Sequence, residues 1–396
     1  MEFLFSDNAA GVKPSAIREI LKHSSEPGMI PFSAGNPAGE AFPVNDIARI
    51  TNEILKNEPV AALQYSVTEG FMPLREKLAQ YMGEKHNAFK PFDKIIITAG
   101  AQQVMNLTAK ALCNRGDTIV CENPSFVGSL NAFRSMGAVL KGVDMLPDGP
   151  DLDQLEEIFK TDKKVRFFYT IPNFQNPTGL TMSLEKRKAV YNLAVKYNIP
   201  ILEDNPYGDT RFAGEELPCI KSFDECGLVV YAGTFSKVLS PGMRVGFMIG
   251  HSTLVDKVVA LKQTQDVHTN ILSQKIAYDF MTKCDYEAHL KMLKDIYRKK
   301  AALCLSEFDK YFEGKIERTS PEGGLFAWCT LPESIDMLSF VSEALKLKVA
   351  VVPGTAFLPD ESAKCSCFRI NYSTPSDEQI VLGMKKLAQA GEKFKW

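Results

Sequence analysis

LVVYAGTFSKVLSPGMRVGFMIG (228–250) holds two apolar runs joined by a polar hinge, and its reading decides the fold. LVVYAGT (228–234) and VGFMIG (245–250) are nearly unbroken apolar runs, as expected of strands covered on both faces. Toward the N-terminus the same kind of run recurs as IPILED (199–204), VRFFYT (165–170), TIVCE (118–122) and KIIIT (94–98). Helical patterns lie between them. After KIIIT, the spacing of Val104, Leu107, Ala111 and Leu112 predicts one such helix. Strands alternating with helices predict an α/β fold with a mostly parallel sheet and right-handed crossovers. Ligands of such sheets sit beyond the carboxyl ends of the strands.

From about residue 270 the pattern changes. A long charged helical region, roughly 273–312, is followed by a strand-like GLFAWCTLP (324–332), a helix (336–347), VAVVPG (349–354), CFRINYS (367–373) and a terminal helix from Ser376. This predicts a smaller α+β lobe, and the Pro- and Gly-containing first 45 residues are expected to fold onto it. The expected division is a large domain over 46–280, with 1–45 and 281–396 forming the small one.

Composition bounds the function. At 396 residues the chain exceeds one ordinary core of roughly 100–200 residues. Its 45% hydrophobic and 24% charged residues are the balance of a globular protein, and a net charge of −2 gives no pull toward nucleic acid or an anionic membrane. The N-terminal MEFLFSDNAAGVKPSAIRE lacks the basic start and apolar run of a signal peptide, and no apolar stretch is long enough to span a membrane. The nine cysteines have no regular spacing, and the Cys365–Cys367 pair has no second pair to complete a zinc site. Reduced thiols, a cytoplasmic location, no metal and small-molecule partners are the expectation.

The chemistry is read from the polar residues at the strand ends. TFSKVLSPGMRVGF (234–247) puts Lys237 just past a buried strand, flanked by Thr234, Ser236 and Arg244. A lone loop lysine is ordinarily solvated. Between two apolar strands its amine is partly desolvated, which lowers its pKa and suits it to imine formation. IPILEDNPYGD (199–209) ends its strand with Asp204, then Tyr207; an acid there serves equally well as a helix cap. PNFQNPTG (172–179) supplies Asn176, which alone is a turn asparagine. ITAGAQQ (97–103) is a glycine turn opening a helix, either plain turn chemistry or an anion site made of backbone N–H groups. Together these ends supply an amine, a carboxylate, an amide, a phenol and a cationic anion cradle. That is the set pyridoxal 5′-phosphate (PLP) requires.

On these motifs, together with QYSVTEGFMPLRE (64–76), ENPSF (122–126), PEGGLFAW (321–328), VVPGTAF (351–357) and CFRINYS, the chain resembles the fold-type I PLP-dependent class I/II aminotransferase family. The likeness is greatest to its 2-aminoadipate and kynurenine aminotransferase group. The resemblance covers nearly the whole chain. It implies a large domain with a mostly parallel seven-stranded sheet between helices, and a smaller α+β domain. It makes Lys237 the Schiff-base lysine, Asp204 the partner of the pyridine nitrogen, and Asn176 with Tyr207 the groups on the 3′-oxygen. Phe126 stands where a ring stacks on the cofactor, and Ala101, Gln102, Thr234, Ser236 and Arg244 would hold the phosphate. Tyr65 matches a tyrosine that reaches the cofactor phosphate of a neighbouring subunit, which implies a homodimer. Arg369 matches the arginine that grips the substrate α-carboxylate. Gly35 lines the substrate in relatives, and Arg18, in VKPSAIREILK (12–22), matches an arginine near the substrate's distal end.

Two positions depart from the family: Ala101 often stands as serine and Phe126 as tyrosine in relatives, which puts one phosphate hydroxyl and one hydrogen bond in doubt. The activity implied is two half-reactions through a Lys237 aldimine, exchanging the amino group of 2-aminoadipate, glutamate, or an aromatic or branched amino acid with a 2-oxo acid such as 2-oxoglutarate. A PLP-dependent cysteine-conjugate β-lyase shares the same residues. A PLP-sensing transcription regulator would carry an N-terminal winged helix, for which the first 15 residues leave no room, and a non-catalytic binding protein would be expected to lose Lys237 or Asp204.

Overall fold

The computed structural model describes residues 3–6 and 26–394. Its centre is a sheet of β1 (Asp93–Thr98), β2 (Thr118–Asn123), β3 (Val139–Leu146), β4 (Gly149–Pro150), β5 (Val165–Thr170), β6 (Ile201–Asp204), β7 (Val229–Thr234) and β8 (Gly246–His251). The order is β1-β8-β7-β6-β5-β2-β3-β4. Only β8 and the two-residue β4 run against the rest, so the seven longer strands form a mostly parallel sheet with β4 extending one edge.

Alternate residues of each central strand feed opposite cores, as the two-residue period of a strand dictates. Phe167, Tyr169, Leu202 and Val230 enter one cluster, while Phe168, Ile201 and Val229 enter the other. The helices between strands cover both faces. Helix Leu152–Thr161 starts where the Asp151 carboxylate accepts from the backbone N–H groups of Asp153 and Gln154, and Leu184–Tyr197 starts where the Ser183 hydroxyl accepts from Lys186.

The second sheet is antiparallel: β9 (Glu317–Arg318), β10 (Phe326–Thr330), β11 (Val352–Pro353) and β12 (Cys367–Asn371), in the order β11-β12-β10-β9. Helices Met337–Lys346 and Asp377–Gly391 pack on it, the latter opened by a Ser376/Gln379 capping box. The helical region expected over 273–312 is two helices, Ile271–Lys283 and Tyr286–Phe312. They part at Cys284 and Asp285, and the Asp285 carboxylate caps the second by accepting from Ala288 N–H at 3.0 Å. The N-terminal segment is shared between the two bodies. Ile30 bridges to Val349 and Phe32 lies in the small-lobe core, whereas Ala38 and Ala41 join the large one. Among the described residues, no helix is long and apolar enough to cross a membrane.

Candidate functional site

The carboxyl ends of β5, β6 and β7 open into a cleft of about 380 Å³, with the small sheet closing one side through Phe326 and Arg369. This is the position the parallel sheet prescribes, and the volume suits a cofactor with a small substrate. Except for Tyr65 and Arg18, every site residue expected from the sequence lines this cleft.

Lys237 stands three residues past the end of β7. Its ammonium donates to the Gly35 carbonyl at 2.8 Å and lies 6.0 Å from the centre of the Tyr207 ring. Burial, helped by the nearby Arg369 and Arg244 charges, pushes its pKa down to about 8. Asp204, the last residue of β6, is buried; one carboxylate oxygen accepts from the Tyr169 hydroxyl at 2.8 Å and the other has no partner among the described residues. Burial raises this acid to about 7, against the lowering pull of Tyr169 and Lys237. A buried carboxylate oxygen without a donor is costly, and this one can accept a hydrogen bond from a group that enters the cleft.

At one end of the cleft, helix Ala101–Leu112 begins at Gly100 with no side-chain cap; the Gln103 N–H donates to the Gly100 carbonyl at 3.2 Å, and the Ala101 and Gln102 N–H groups have no partner among the described residues. Gly100 has φ 78°, and a Cβ there would lie 2.4 Å from Arg244 Nη2; only glycine admits both that backbone and the guanidinium. Arg244 donates to the Ala99 and Pro241 carbonyls, with no carboxylate partner among the described residues. Thr234 donates to Ser236 Oγ at 2.9 Å beside it. A free helix N-terminus, two hydroxyls and an arginine without an acid form an anion cradle. Ala101 and Gln102 contribute the helix start, and the Gln102 side chain is turned to the Gly128 carbonyl.

At the other end, Arg369 of β12 is buried with its guanidinium 4.0 Å from the centre of the Phe326 ring. It donates to Asn176 Oδ1 at 2.9 Å and to the Ser33 carbonyl at 2.8 Å, its Nε is unpartnered, and burial lowers its pKa to about 10. Asn176 also contacts the Tyr207 hydroxyl. Phe126 starts helix Val127–Ser135 and supplies a flat wall.

Behind these groups lies a second layer that the sequence does not single out. Tyr169 looked like one more aromatic in an apolar strand; its hydroxyl sits between Ser129 Oγ, which donates to it at 2.8 Å, and Asp204. Glu122, at the end of β2, is fully buried and accepts from Thr170 Oγ1, Ile171 N–H and Gln175 Nε2, clamping the loop that carries Asn176. An acid closing an apolar strand was the available signal, the same one that singled out Asp204. Tyr65 lies outside the cleft, 82% exposed, its ring edge-on to His268. Arg18 lies outside the described residues.

The comparisons agree with this geometry. Residues 27–387 match the model of the family described as aminotransferase class I and II. The aromatic-amino-acid aminotransferase 1 of Thermococcus litoralis is 39% identical over 98% of this chain and 94% of its own. The Pyrococcus horikoshii kynurenine aminotransferase, solved with PMP, kynurenine and kynurenic acid, superposes with a TM-score of 0.95 at 34% identity, over 99% of this chain and 98% of that one. The α-aminoadipate aminotransferase of Thermus thermophilus, solved with N-(5′-phosphopyridoxyl)-L-leucine, gives 0.91 at 34% identity, over 98% and 97%. Likeness that runs from end to end of both chains carries membership with it: the chain belongs to the class I and II aminotransferases and is a PLP-dependent enzyme of that family.

Proposed function

We propose that the enzyme moves the amino group of an L-amino acid (aromatic, branched, 2-aminoadipate or glutamate) to a 2-oxo acid such as 2-oxoglutarate, in two alternating half-reactions at one site. The observation that carries this is the pairing, in one cleft, of an amine pushed down to about 8 with a buried arginine that has no acid partner among the described residues. The first can hold a carbonyl cofactor and move a proton; the second is a socket for an α-carboxylate.

In this reading the cradle of Ala101, Gln102, Thr234, Ser236 and Arg244 holds the cofactor phosphate, Phe126 lies against its ring, and Asn176 and Tyr207 face its 3′-oxygen. Asp204 holds the proton of the ring nitrogen. Bound PLP supplies a protonated ring that takes up the electron pair left when the substrate Cα–H bond breaks. With the cofactor bound, the Lys237 amine would take that Cα proton and deliver it to the cofactor side. Gly35 holds the Lys237 amine on the substrate face, as its carbonyl does here. Ile171, Val127 and Phe326 give the cleft apolar walls that favour aromatic and branched side chains, and Arg18 is the candidate cation for an acidic one. Arg369→Ala is expected to raise KM for the amino donor by roughly 100-fold or more, the loss of a buried bidentate charge pair; an unchanged KM removes Arg369 from this role.

The active enzyme is a homodimer in this reading, with Tyr65 reaching the partner's cofactor phosphate. Support comes from Val60, Leu63, Tyr65, Val67 and Met72, a run of large side chains left exposed together. Sedimentation of the holoenzyme is expected to give twice the chain mass, and a fully active monomer would refute the shared site.

The test of the whole reading is the visible spectrum of the purified enzyme against a panel of amino acids. A donor should bleach the cofactor band and 2-oxoglutarate should restore it. Accumulation of pyruvate and ammonia from a cysteine conjugate, with the band intact, would show β-lyase chemistry instead.

A further inference from the structure

The groups that touch the cofactor in the reading above do not include Tyr169, yet its hydroxyl is buried in the large core and hydrogen-bonded on both sides. It is fully buried in β5, one strand over from Asp204, and its ring packs edge-on to Phe133 at 5.3 Å. Both hydrogen bonds at its oxygen run in one direction: Ser129 Oγ donates to it, and it donates to Asp204 Oδ2, each at 2.8 Å. Burial keeps the phenol protonated throughout the working range, so it is always a donor. The second oxygen, Asp204 Oδ1, is the one left without a partner.

We infer that Tyr169 is a positioning residue that acts through Asp204, fixing which carboxylate oxygen faces the cofactor and weakening that carboxylate as a base, so that the shared proton stays on the cofactor's ring nitrogen. This rests on the assignment of Asp204 to the ring nitrogen. The physical argument concerns one proton between two bases. A hydrogen bond donated to the far oxygen withdraws charge from the carboxylate and stabilises its ionised form. Without it, Asp204 becomes the stronger base and the proton moves toward it, leaving the ring neutral. Ser129 contributes by holding the phenol oxygen in line: as a donor to that oxygen it leaves the tyrosine proton free to point at Asp204. Helix Val127–Ser135 therefore reaches the site twice, through Phe126 at its cap and through Ser129 on its inner face. The steric demands of Tyr169 are those of a phenylalanine with one oxygen added, so removing the hydroxyl tests the electrostatics with little change in packing.

The experiment is Tyr169→Phe in the PLP-loaded enzyme, beside wild type and Asp204→Ala, with three readouts. The first is the pH midpoint of the visible band of the lysine-bound cofactor. A protonated ring lowers the proton affinity of the nitrogen it shares with Lys237, so a neutral ring raises it. The midpoint is expected to rise by about half to one unit in Tyr169→Phe and by more in Asp204→Ala. The second is kcat with a good donor, expected to fall about tenfold while KM for that donor holds. The third is the thermal midpoint, which reports the stability lost with the two buried hydrogen bonds and any change of packing. If Asp204→Ala leaves the pH midpoint in place, the assignment of Asp204 itself fails. If Asp204→Ala moves it and Tyr169→Phe does not, the inference about Tyr169 is overturned and the assignment of Asp204 stands. A Tyr169→Phe enzyme that melts earlier with an unmoved pH midpoint shows a role in stability only, which also overturns it.

Discussion

Lys237→Ala is expected to lower turnover by at least about 10⁴-fold and to abolish the visible band of the lysine-bound cofactor. The size follows from the cleft's composition: Lys237 is its only lysine among the described residues, so no second amine stands ready to bond the cofactor or carry the Cα proton. The same residue gives a pH dependence with a definite sign. Only the neutral amine can attack the cofactor's carbonyl, and this amine's pKa is lowered to about 8 by burial and by Arg369 and Arg244. Loading of apoenzyme with PLP should therefore quicken as pH rises through about 8 and level off above it, well below the range of an ordinary lysine. Stopped-flow absorbance of wild-type apoenzyme between pH 6 and 10 reads this directly. Full activity in Lys237→Ala, or a loading rate that keeps climbing to pH 10, would contradict the assignment.

Legibility in the sequence followed burial. β1, β2, β5, β6, β7 and β8 were readable because central strands covered on both faces are written as apolar runs, and their ends fell within two residues of the observed ones. β3 was invisible. VLKGVDML lies next to the sheet edge with most of its side chains partly or fully exposed, so Lys141, Gly142 and Asp144 break up any apolar signal. The break at Asp285 was equally hidden, since a capping aspartate in a charged helix looks like one more solvated acid. Within the site, groups that project from strand ends into the cleft were found because a polar residue closing an apolar run is anomalous. Groups that support them from behind were not. Tyr169 and Gln175 match the chemistry of their surroundings in the sequence, and only the fold shows that the Gln175 amide donates to Glu122 and accepts from Thr178, holding the loop that presents Asn176. Pairings between β2, β5 and β6 are non-local, and no pattern within one strand encodes them.

The second large effect lies away from the cleft. Lys221→Met is expected to destabilise the fold by about 3–5 kcal/mol, the cost of stranding buried carboxylates without their cation. Lys221 is fully buried, and its ammonium lies 2.8 Å from both Asp93 and Asp224, whose side chains are also fully buried. The triad ties the start of β1 to the turn that launches β7, where Asp224 also accepts from the backbone N–H groups of Gly227, Leu228 and Val229. Methionine fills the lysine's volume but returns no charge. Asp224 keeps its backbone donors; Asp93 retains, among the described residues, only the Lys90 N–H, and burial already pushes its pKa up with Lys221 in place. Removing the cation raises that pKa further, so the folded variant binds a proton more tightly than the unfolded chain. Stability from such a raised acid is present at low pH and lost as pH rises through the folded value. The deficit of Lys221→Met should accordingly be largest at neutral pH and narrow as the solution is acidified. Melting of both proteins at pH 7.5 and 5.5 tests this, with a fall of roughly 4–6 °C expected at the higher pH and a smaller one at the lower. Because β7 leads straight into Lys237, activity should be lost in step with the folded fraction; a variant that melts like wild type at both pH values would mean that the triad contributes nothing.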